Sequence, residues 1–322
     1  MNKKRIIGTF ITVTVLVSAA LLAVNHYKAS THEAKKSPLG MASNMQNINA
    51  MLSKPVGQGI VSLTTVVAAD WQVPLAGLVN LNHDKSQQAQ LKDKMEPIKI
   101  FTYVLEHPTH GSFLIDTGVS EAFVHQPETF GVNPILHRLF GLEHIDAKRF
   151  TADIIGALSS PLRGVFLTHL HVDHISGLPE VSKQVPIYTG KGEAAGEYWI
   201  NLATQKVVDT LLSGRPALRE WKHDIVDVFG DSSMFALHMP GHTPGSTAYL
   251  INTTGRPVLL AGDISHTAWG WNNSVEPGDF TQDKLENRAS LLKLKAQVKA
   301  YPSIKVKLGH QSLPSPNGAK NL

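Results

Sequence analysis

The feature that most constrains the fold of this chain is a run of four metal-capable side chains within six residues, His169-Leu170-His171-Val172-Asp173-His174. It directly follows the apolar segment 164–168, which is typical of a buried β-strand. Alternate residues of an extended segment point to the same side, so His169 and His171 could bind one ion. If the chain then turns into a helix, Asp173 and His174 could serve a second ion.

Three further candidate ligands lie elsewhere in the same local context. His242, Asp263 and His310 each follow a glycine at the end of an apolar run. A rigid sheet presents side chains at its edge in this way, and glycine allows close approach of backbone and ligand. We therefore predict that several strand ends bring these residues to the first cluster and form a two-ion site.

Composition narrows the possible chemistry. The 322-residue chain is 42% hydrophobic and 17% charged, which is typical of a globular protein. It contains 0 cysteines, which excludes a disulfide framework, a thiolate metal site and a cysteine nucleophile. Ser246 lies outside any G-x-S-x-G motif, so no serine nucleophile elbow is predicted. The net charge is +4, and 4 − 3 = +1 without Lys3, Lys4 and Arg5, so a nucleic-acid partner is not indicated.

The amino-terminal segment predicts export. Lys3, Lys4 and Arg5 precede an apolar stretch over 6–24, which is a signal peptide or an uncleaved membrane anchor. Either reading predicts a periplasmic location or a membrane-tethered extracytoplasmic one. The polar residues 25–55 predict a linker, and 56–322 are then the catalytic domain.

Hydrophobic patterning predicts the secondary structure of that domain. Gly111 indicates a hairpin, and 81–94 is interpreted as an exposed loop or a short helix. Helices are predicted at 146–158 and 281–300. Strands are predicted at 60–67, 98–105, 112–115, 164–168, 185–188, 235–239, 246–251, 258–261 and 304–308. This order favours an α/β (α+β) chain with a two-sheet sandwich covered by helices.

The ligand pattern resembles the metallo-β-lactamase superfamily. The similarity rests on His169-x-His171-x-Asp173-His174 with the later ligands, and it extends over residues 59–313, including the segment 114–118. It implies an αββα sandwich of two mixed β-sheets flanked by helices. By the same resemblance, a first metal would be held by His169, His171 and His242, a second by Asp173, His174 and His310, and Asp263 would bridge them. Zinc suits these ligands first, and iron, manganese or cobalt also fit.

The resemblance also implies a reaction. Two divalent ions could hold a bridging hydroxide that attacks the substrate, while Asp173 carries the proton to the leaving group. The spacings 263 − 242 = 21 and 310 − 263 = 47 are similar to those of the branch with N-acyl homoserine lactone lactonases and methyl parathion hydrolase. The predicted substrate is therefore a small-molecule lactone or ester. The alternatives are an exported β-lactamase, an organophosphate or phosphodiester hydrolase, and a catalytically silent metal-binding scaffold.

Several neighbouring residues have two readings. His266 stands where those lactonases have a substrate-orienting tyrosine; it could replace the phenol as a catalytic hydrogen-bond donor, or point to solvent. Trp269 and Trp271 could wall a substrate pocket or simply pack. Asp116 could stabilise a turn or orient a ligand. Seven histidines outside the ligand pattern are interpreted as surface or hydrogen-bonded core residues: His107, His110, His125, His137, His144, His223 and His238.

Overall fold

The computed structural model describes residues 32–196 and 199–313, with the backbone alone for 199–203. The predicted leader at 1–24 lies outside the described residues. The described strands are β1 Ala34–Lys36, β2 Met41–Ala42, β3 Ser62–Pro74, β4 Met95–His107, β5 Gly111–Ile115, β6 Asp146–Ala147, β7 Leu162–Phe166, β8 Ile187–Thr189, β9 Leu218–Glu220, β10 Ile225–Asp227, β11 Met234–His238, β12 Thr247–Ile251, β13 Val258–Leu260 and β14 Lys305–Lys307.

The helices lie mainly between strands. The described α-helices are α1 Met45–Leu52, α2 Leu75–Leu78, α3 Asp84–Gln88, α4 Glu121–His125, α5 Pro134–Leu139, α6 Thr151–Gly156, α7 Val172–Ile175, α8 Trp199–Leu212, α9 Ala268–Asn273 and α10 Lys284–Ala300. Short 3-10 turns include Glu193–Ala195 and Gly262–Ile264. Within these described ranges, none of the helices combines the length and the apolar character needed to span a bilayer.

Two mixed β-sheets form the centre of the molecule. In the described residues, one sheet has eight strands in the order β1-β9-β8-β7-β5-β4-β3-β6, and the other has six in the order β14-β13-β12-β11-β10-β2. The first is parallel from β5 through β7 and β8 to β9, and antiparallel between β3, β4 and β5. The second is antiparallel except between β13 and β14. This agrees with the sandwich that the sequence predicts.

The hydrophobic core has three layers of contact. Between the sheets, side chains such as Phe166 and Tyr249 are fully buried and belong to one cluster. On the outer face of the eight-stranded sheet, Val207 of α8 packs with Leu167, and on the outer face of the other sheet, Leu291 of α10 packs with Leu250. Burial of one such side chain stabilises the fold by about 1.5–3 kcal/mol. The layer order is therefore helix, sheet, sheet, helix.

Strand direction explains why candidate ligands meet at one edge. In the six-stranded sheet, β11, β13 and β14 run the same way, because β12 is antiparallel to β11 and to β13, while β14 is parallel to β13. In the other sheet, β5 and β7 are parallel. The carboxyl ends of these strands lead into residues 116, 169–174, 242, 263 and 310.

The predicted linker over 25–55 is wrong for residues 34–52. β1 pairs with β9 in one sheet, and β2 pairs with β10 in the other. Helix α1 begins at the cap Asn44 and buries Ile48, Met51 and Leu52 against the six-stranded sheet. Because both short strands have exposed side chains, their pairing depends on backbone hydrogen bonds that leave no apolar pattern in the sequence. The folded unit therefore begins before residue 56.

The predicted helix over 146–158 is also wrong at its amino-terminal half. Residues 146–147 form β6, which pairs with β3, and the backbone N–H groups of Lys148 and Arg149 both donate to the carbonyl of Ala68. Only Thr151–Gly156 is helical. The helix predicted at 281–300 is confirmed over Lys284–Ala300, and its amino terminus is capped by Asp283.

Candidate metal centre

The histidine-rich segment adopts the two conformations that its spacing predicts. His169 and His171 lie in the extended stretch after β7, and their ring centroids are 4.4 Å apart. Helix α7 begins immediately afterwards and directs Asp173 and His174 differently. The side chains of His169, His171 and His174 are buried.

His242 completes a first group with two of these histidines. Its Nε2 atom lies 3.2 Å from His169 Nε2 and 3.0 Å from His171 Nδ1. Asp263 Oδ2 is 3.7 Å from His169 Nε2 and 3.6 Å from His242 Nε2. Three imidazoles and one carboxylate oxygen thus surround one point.

A second group lies on the other side of the same carboxylate. Asp263 Oδ2 is 3.3 Å from His174 Nε2 and 3.2 Å from His310 Nε2. Asp173 Oδ2 is 3.3 Å from His310 Nε2 and 3.6 Å from His174 Nε2. The structure therefore brings all seven predicted ligands together; we refer to them as the candidate metal centre: His169, His171, Asp173, His174, His242, Asp263 and His310.

The donor set fits divalent cations. In the described part of the chain, three groups have ligand atoms that all lie within 4.8 Å of one another: His169, His171, His242 and Asp263; Asp173, His174 and His310; Asp263, His266 and His310. Two atoms bound to one tetrahedral zinc ion at about 2.0–2.1 Å lie about 3.3 Å apart, which is close to the contacts above. Two buried donor atoms, His174 Nε2 and Asp263 Oδ1, also lack a hydrogen-bond partner among the described residues. An ion bound to His174 Nε2 would satisfy that atom, since unpaired buried polar groups are costly.

Outer hydrogen bonds fix the orientation of several rings. Asp116 Oδ2 lies 2.9 Å from His174 Nδ1, while its Oδ1 accepts from the backbone N–H of Thr168. The Lys99 carbonyl accepts from His310 Nδ1 at 2.9 Å, and Thr281 Oγ1 lies 3.0 Å from His242 Nδ1. Such partners leave the other ring nitrogen facing the centre and fix its tautomer. The ligand-orienting reading of Asp116 is thus the one that its contacts support.

The electrostatics divide the histidines into two sets. Burial, together with neighbouring histidines, lowers the pKa of His169 and of His242 well below the usual value, and it lowers the pKa of His171 to about 4. For His174, burial acts in the same direction, but the carboxylates of Asp263, Asp173 and Asp116 outweigh it and raise its pKa. The first set is therefore held in the neutral form that binds metal ions.

Two glycines make room for the ligands. A Cβ atom at Gly309 would lie 2.0 Å from Asp263 Oδ1, so no larger residue fits beside that carboxylate. Gly241 has φ +127, a conformation that L side chains rarely adopt, and its Cβ position is occupied by the backbone of Asn287.

A buried carboxylate that sequence reasoning missed connects two ligand-bearing loops. Glu193 accepts hydrogen bonds from the Leu170 N–H at 2.7 Å, from Thr243 Oγ1 at 2.7 Å and from the Gly245 N–H at 2.8 Å. Leu170 lies between two ligands and Thr243 directly follows His242. Glu193 follows strand β8 and a glycine, which is the same sequence context as the ligands, and this signal could have identified it.

An apolar cavity borders the candidate metal centre. His171, Asp173, Asp263, His266 and His310 line its polar end. Its walls come from β3, α2, β4 and the segment around α4 to β6: Trp71, Val73, Leu78, Ile98, Ile100, Phe123, Val132, Leu136, Phe140, Leu142 and Ile145. These residues are far apart in the sequence, so no local pattern could have identified the wall.

The structure decides between the two readings of several residues beyond Asp263. His266 does not point to solvent, because its side chain is 1% exposed and its Nε2 lies 3.1 Å from Asp263 Oδ2. Trp271 packs in the core beside the six-stranded sheet, and Trp269 packs against the cluster that includes Trp71. The cavity lining does not include Trp269 or Trp271, so their packing interpretation is the one that the structure supports.

The seven histidines interpreted as surface or hydrogen-bonded core residues are not among the ligands of the centre. His107 is buried and hydrogen-bonded, and His238 is half-buried with Nε2 2.8 Å from the Pro244 carbonyl. His110, His125, His144 and His223 are exposed, and His137 is half-buried.

Comparison with known proteins connects this geometry to a family. Residues 96–301 match the Metallo-beta-lactamase superfamily, which is 301 − 96 + 1 = 206 of the 322 residues. Among curated proteins, an N-acyl homoserine lactonase of Bacillus sp is 26% identical over 216 residues, covering 65% of this chain and 80% of the relative. A gamma-lactamase, FDB1 of Fusarium pseudograminearum, is 26% identical over 189 residues, covering 52% of this chain and 45% of the relative.

The chain spans about half the length of the first two curated relatives that it matches, 45% and 55%. Among solved structures, AiiA of B. thuringiensis with N-decanoyl-L-homoserine bound at the active site has a TM-score of 0.58 at 22% identity, covering 77% of this chain and 92% of that chain. This structural likeness establishes the fold.

Proposed function

Because this chain belongs to the metallo-β-lactamase superfamily, we propose that it is a hydrolase that opens lactones or esters carrying an apolar acyl group, with two divalent metal ions held at the candidate metal centre. The observation that carries the proposal is the apolar cavity that adjoins the seven ligands. A reacting carbonyl could lie at the polar end while its acyl chain occupies the apolar part.

A pair of bound divalent cations supplies polarisation of a carbonyl oxygen and a water molecule whose pKa is lowered to about 7. The residues of this chain position and protect that chemistry. Asp173 lies where the centre meets the cavity, and its side chain is 18% exposed, so its carboxylate can carry a proton to a leaving oxygen. The apolar walls exclude bulk water from the acyl chain and from the reacting carbonyl.

The relatives support this choice of substrate class. Several curated matches are named N-acyl homoserine lactonases, at 25–27% identity. The amide of a γ-lactam and the ester of a lactone are both cyclic acyl groups, so the gamma-lactamase relative is compatible with the same reaction type. We further propose zinc as the resident metal, because imidazole and carboxylate ligands suit it and one structural neighbour is described as a dizinc lactonase.

The test is a substrate series on the zinc-loaded protein. N-acyl homoserine lactones from butanoyl to dodecanoyl should show kcat/KM rising by up to about fourfold per added methylene, because a buried CH₂ contributes about 0.8 kcal/mol. Chelation should abolish the rate, and added zinc should restore it. A faster turnover of a chromogenic cephalosporin or of paraoxon would favour the β-lactamase or organophosphate alternative. Two bound ions with no turnover of any ester would favour the silent scaffold.

A cavity variant separates the apolar wall from the metal centre. Replacing Val132, a buried wall residue, by Trp should lower the rate with long acyl chains and leave the butanoyl substrate and the metal content unchanged. Equal loss for all chain lengths would contradict the proposed site of the acyl chain.

We also propose that the protein acts outside the cytoplasm. The support is the basic residues Lys3, Lys4 and Arg5 followed by the apolar segment 6–24. Cell fractionation of the full chain tests this, and recovery only in the cytosol would contradict it.

A further inference from the structure

His266 has the hydrogen-bond pattern of a metal ligand rather than that of a substrate-binding donor. Its Nδ1 lies 3.1 Å from the Leu78 carbonyl, which can only accept, so Nδ1 carries the ring proton. His310 has the same arrangement with the Lys99 carbonyl. In both rings, the neutral tautomer leaves a lone pair on Nε2.

The Nε2 atoms of these two rings point at the same carboxylate oxygen. His266 Nε2 lies 3.1 Å from Asp263 Oδ2, and His310 Nε2 lies 3.2 Å from it. Their rings are stacked, with centroids 5.5 Å apart and an interplanar angle of 26°. A lone pair that faces a buried carboxylate at this distance is repulsive unless a cation or a proton lies between them.

A cation explains the arrangement better than protons do. His174 Nε2 also lies 3.3 Å from Asp263 Oδ2, so protonation of all three rings would bury three positive charges beside one carboxylate oxygen. A single divalent ion accepts all three lone pairs and the carboxylate at once. The ligand atoms of Asp263, His266 and His310 all lie within 4.8 Å of one another, so one ion can contact all three.

We propose that His266 is a direct ligand of the second metal ion through Nε2, in addition to Asp173, His174, Asp263 and His310. The second ion then has five protein ligands, one more than a tetrahedral zinc site contains. A hydrogen-bond donor role toward substrate is incompatible with this arrangement, because the neutral ring has no proton on Nε2. The inference depends on the proposed metal centre but not on the proposed substrate.

Two substitutions distinguish the roles of the two ring nitrogens of His266. In His266→Asn, the shorter amide can still donate to the Leu78 carbonyl from the place of Nδ1, but nothing occupies the place of Nε2. In His266→Gln, the longer amide can put an oxygen ligand near that place. We expect His266→Asn to weaken binding of the second ion at least about tenfold, the scale of outer partners of metal ligands, with His266→Gln in between and the first ion unaffected. His107→Asn, at a buried histidine away from the centre, is the matched control and should leave both affinities unchanged.

Cobalt provides the readout that is independent of activity. In the cobalt-loaded wild-type protein, the Nδ1 proton of a ring bound through Nε2 gives a hyperfine-shifted, exchangeable NMR signal, and selective labelling assigns it to His266. Absence of that signal from a wild-type protein that binds two ions, or unchanged affinity in His266→Asn, overturns the proposal. A wild-type protein that binds no ion overturns the metal centre itself, whereas two bound ions without ester hydrolysis overturns only the proposed function.

Discussion

Two histidine–carboxylate clusters in this protein, each containing a buried histidine, place their ring protons in opposite directions. At the first, His107 Nδ1 accepts from the backbone N–H groups of Thr109 and His110, so Nε2 carries the proton and donates to Asp231 Oδ2 at 2.9 Å. At the candidate metal centre, His310 donates outward from Nδ1 to the Lys99 carbonyl and leaves Nε2 facing Asp263. Both ring nitrogens of His107 have hydrogen-bond partners within the first cluster, whereas in the second cluster Nε2 of His310 faces a carboxylate without a proton between them.

The difference teaches that the number of histidines beside an aspartate does not identify a metal centre. The direction of the N–H groups does, because a ring that donates outward turns a lone pair inward, and opposite a buried carboxylate only a cation or a proton can satisfy that lone pair. His107 is 3% exposed and His310 is 4% exposed, so burial alone does not distinguish the two clusters.

The two carboxylates, Asp263 and Asp231, provide the strongest test of this difference between the clusters. Asp263→Asn removes the negative charge that five imidazole nitrogens face, and we expect loss of both ions and a fall in hydrolysis of more than about 100-fold. Asp231→Asn is the matched change at the satisfied cluster and should retain both ions. Metal analysis after dialysis measures the outcome. Two ions retained in Asp263→Asn would show that this carboxylate is not a shared ligand.

A smaller effect on metal binding is expected at Asp116, which contacts a ligand rather than the metal ions. Asp116 has φ 55, a left-handed conformation that asparagine tolerates, so Asp116→Asn should keep the backbone while removing the charge that orients His174. We expect affinity for the second ion to fall about 10–100-fold. Competition with a chromophoric chelator measures this, and Asp231→Asn, at the carboxylate beside His107, serves as the control. An unchanged affinity would make Asp116 a turn residue only.

At the satisfied cluster, the expected loss is of stability and not of metal. His107→Gln disturbs the bonds to the Thr109 and His110 N–H groups and should lower the free energy of unfolding by about 1–3 kcal/mol. Urea unfolding of the metal-loaded protein measures it. If metal content fell instead, the contrast between the two clusters would be wrong.

The smallest effect is expected where charges pair in solvent. Hydrogen bonding to Lys99 is the main cause that lowers the pKa of Asp70, and Lys148 also contributes. A carboxyl whose folded-state pKa is lowered stabilises the protein above its unfolded value of 3.8, and that contribution is lost as pH falls through the folded value. Both side chains of the Asp70–Lys99 pair are more than 40% exposed, at 42% and 44%, so Asp70→Asn should cost only about 0.2–1 kcal/mol at neutral pH and nothing in strong acid. Urea midpoints at the two pH values check this. A loss of equal size in acid would exclude the charge as its cause.

Local spacing made the ligands predictable. His169 and His171 are two residues apart on an extended segment, and Asp173 and His174 lie on the helix that follows, so the sequence alone determines how they project. His242, Asp263 and His310 share a recognisable context, a strand end beside glycine. The helix Lys284–Ala300 was predictable for a similar reason, because it is long and has the cap Asp283.

Contacts between distant segments were not predictable in this way. The carbonyls of Leu78 and Lys99 accept hydrogen bonds from His266 and His310, but a backbone carbonyl has no sequence signature. The apolar wall combines residues from β3, β4 and the region around α5, whose proximity depends on the whole fold. Strand β1 was missed because three exposed residues pair through their backbone alone.

The ligands come from both halves of the sandwich: the segment 169–174 follows β7 of one sheet, while His242, Asp263 and His310 follow strands of the other. Ions bound there would cross-link the two sheets at one edge. The supply of metal would therefore govern the lifetime of the folded protein as well as its catalytic rate. Each site filled to about 100 times its dissociation constant adds about 2.7 kcal/mol to the folded state. In a metal-starved environment, this edge would be the place where heat or a protease first separates the sheets.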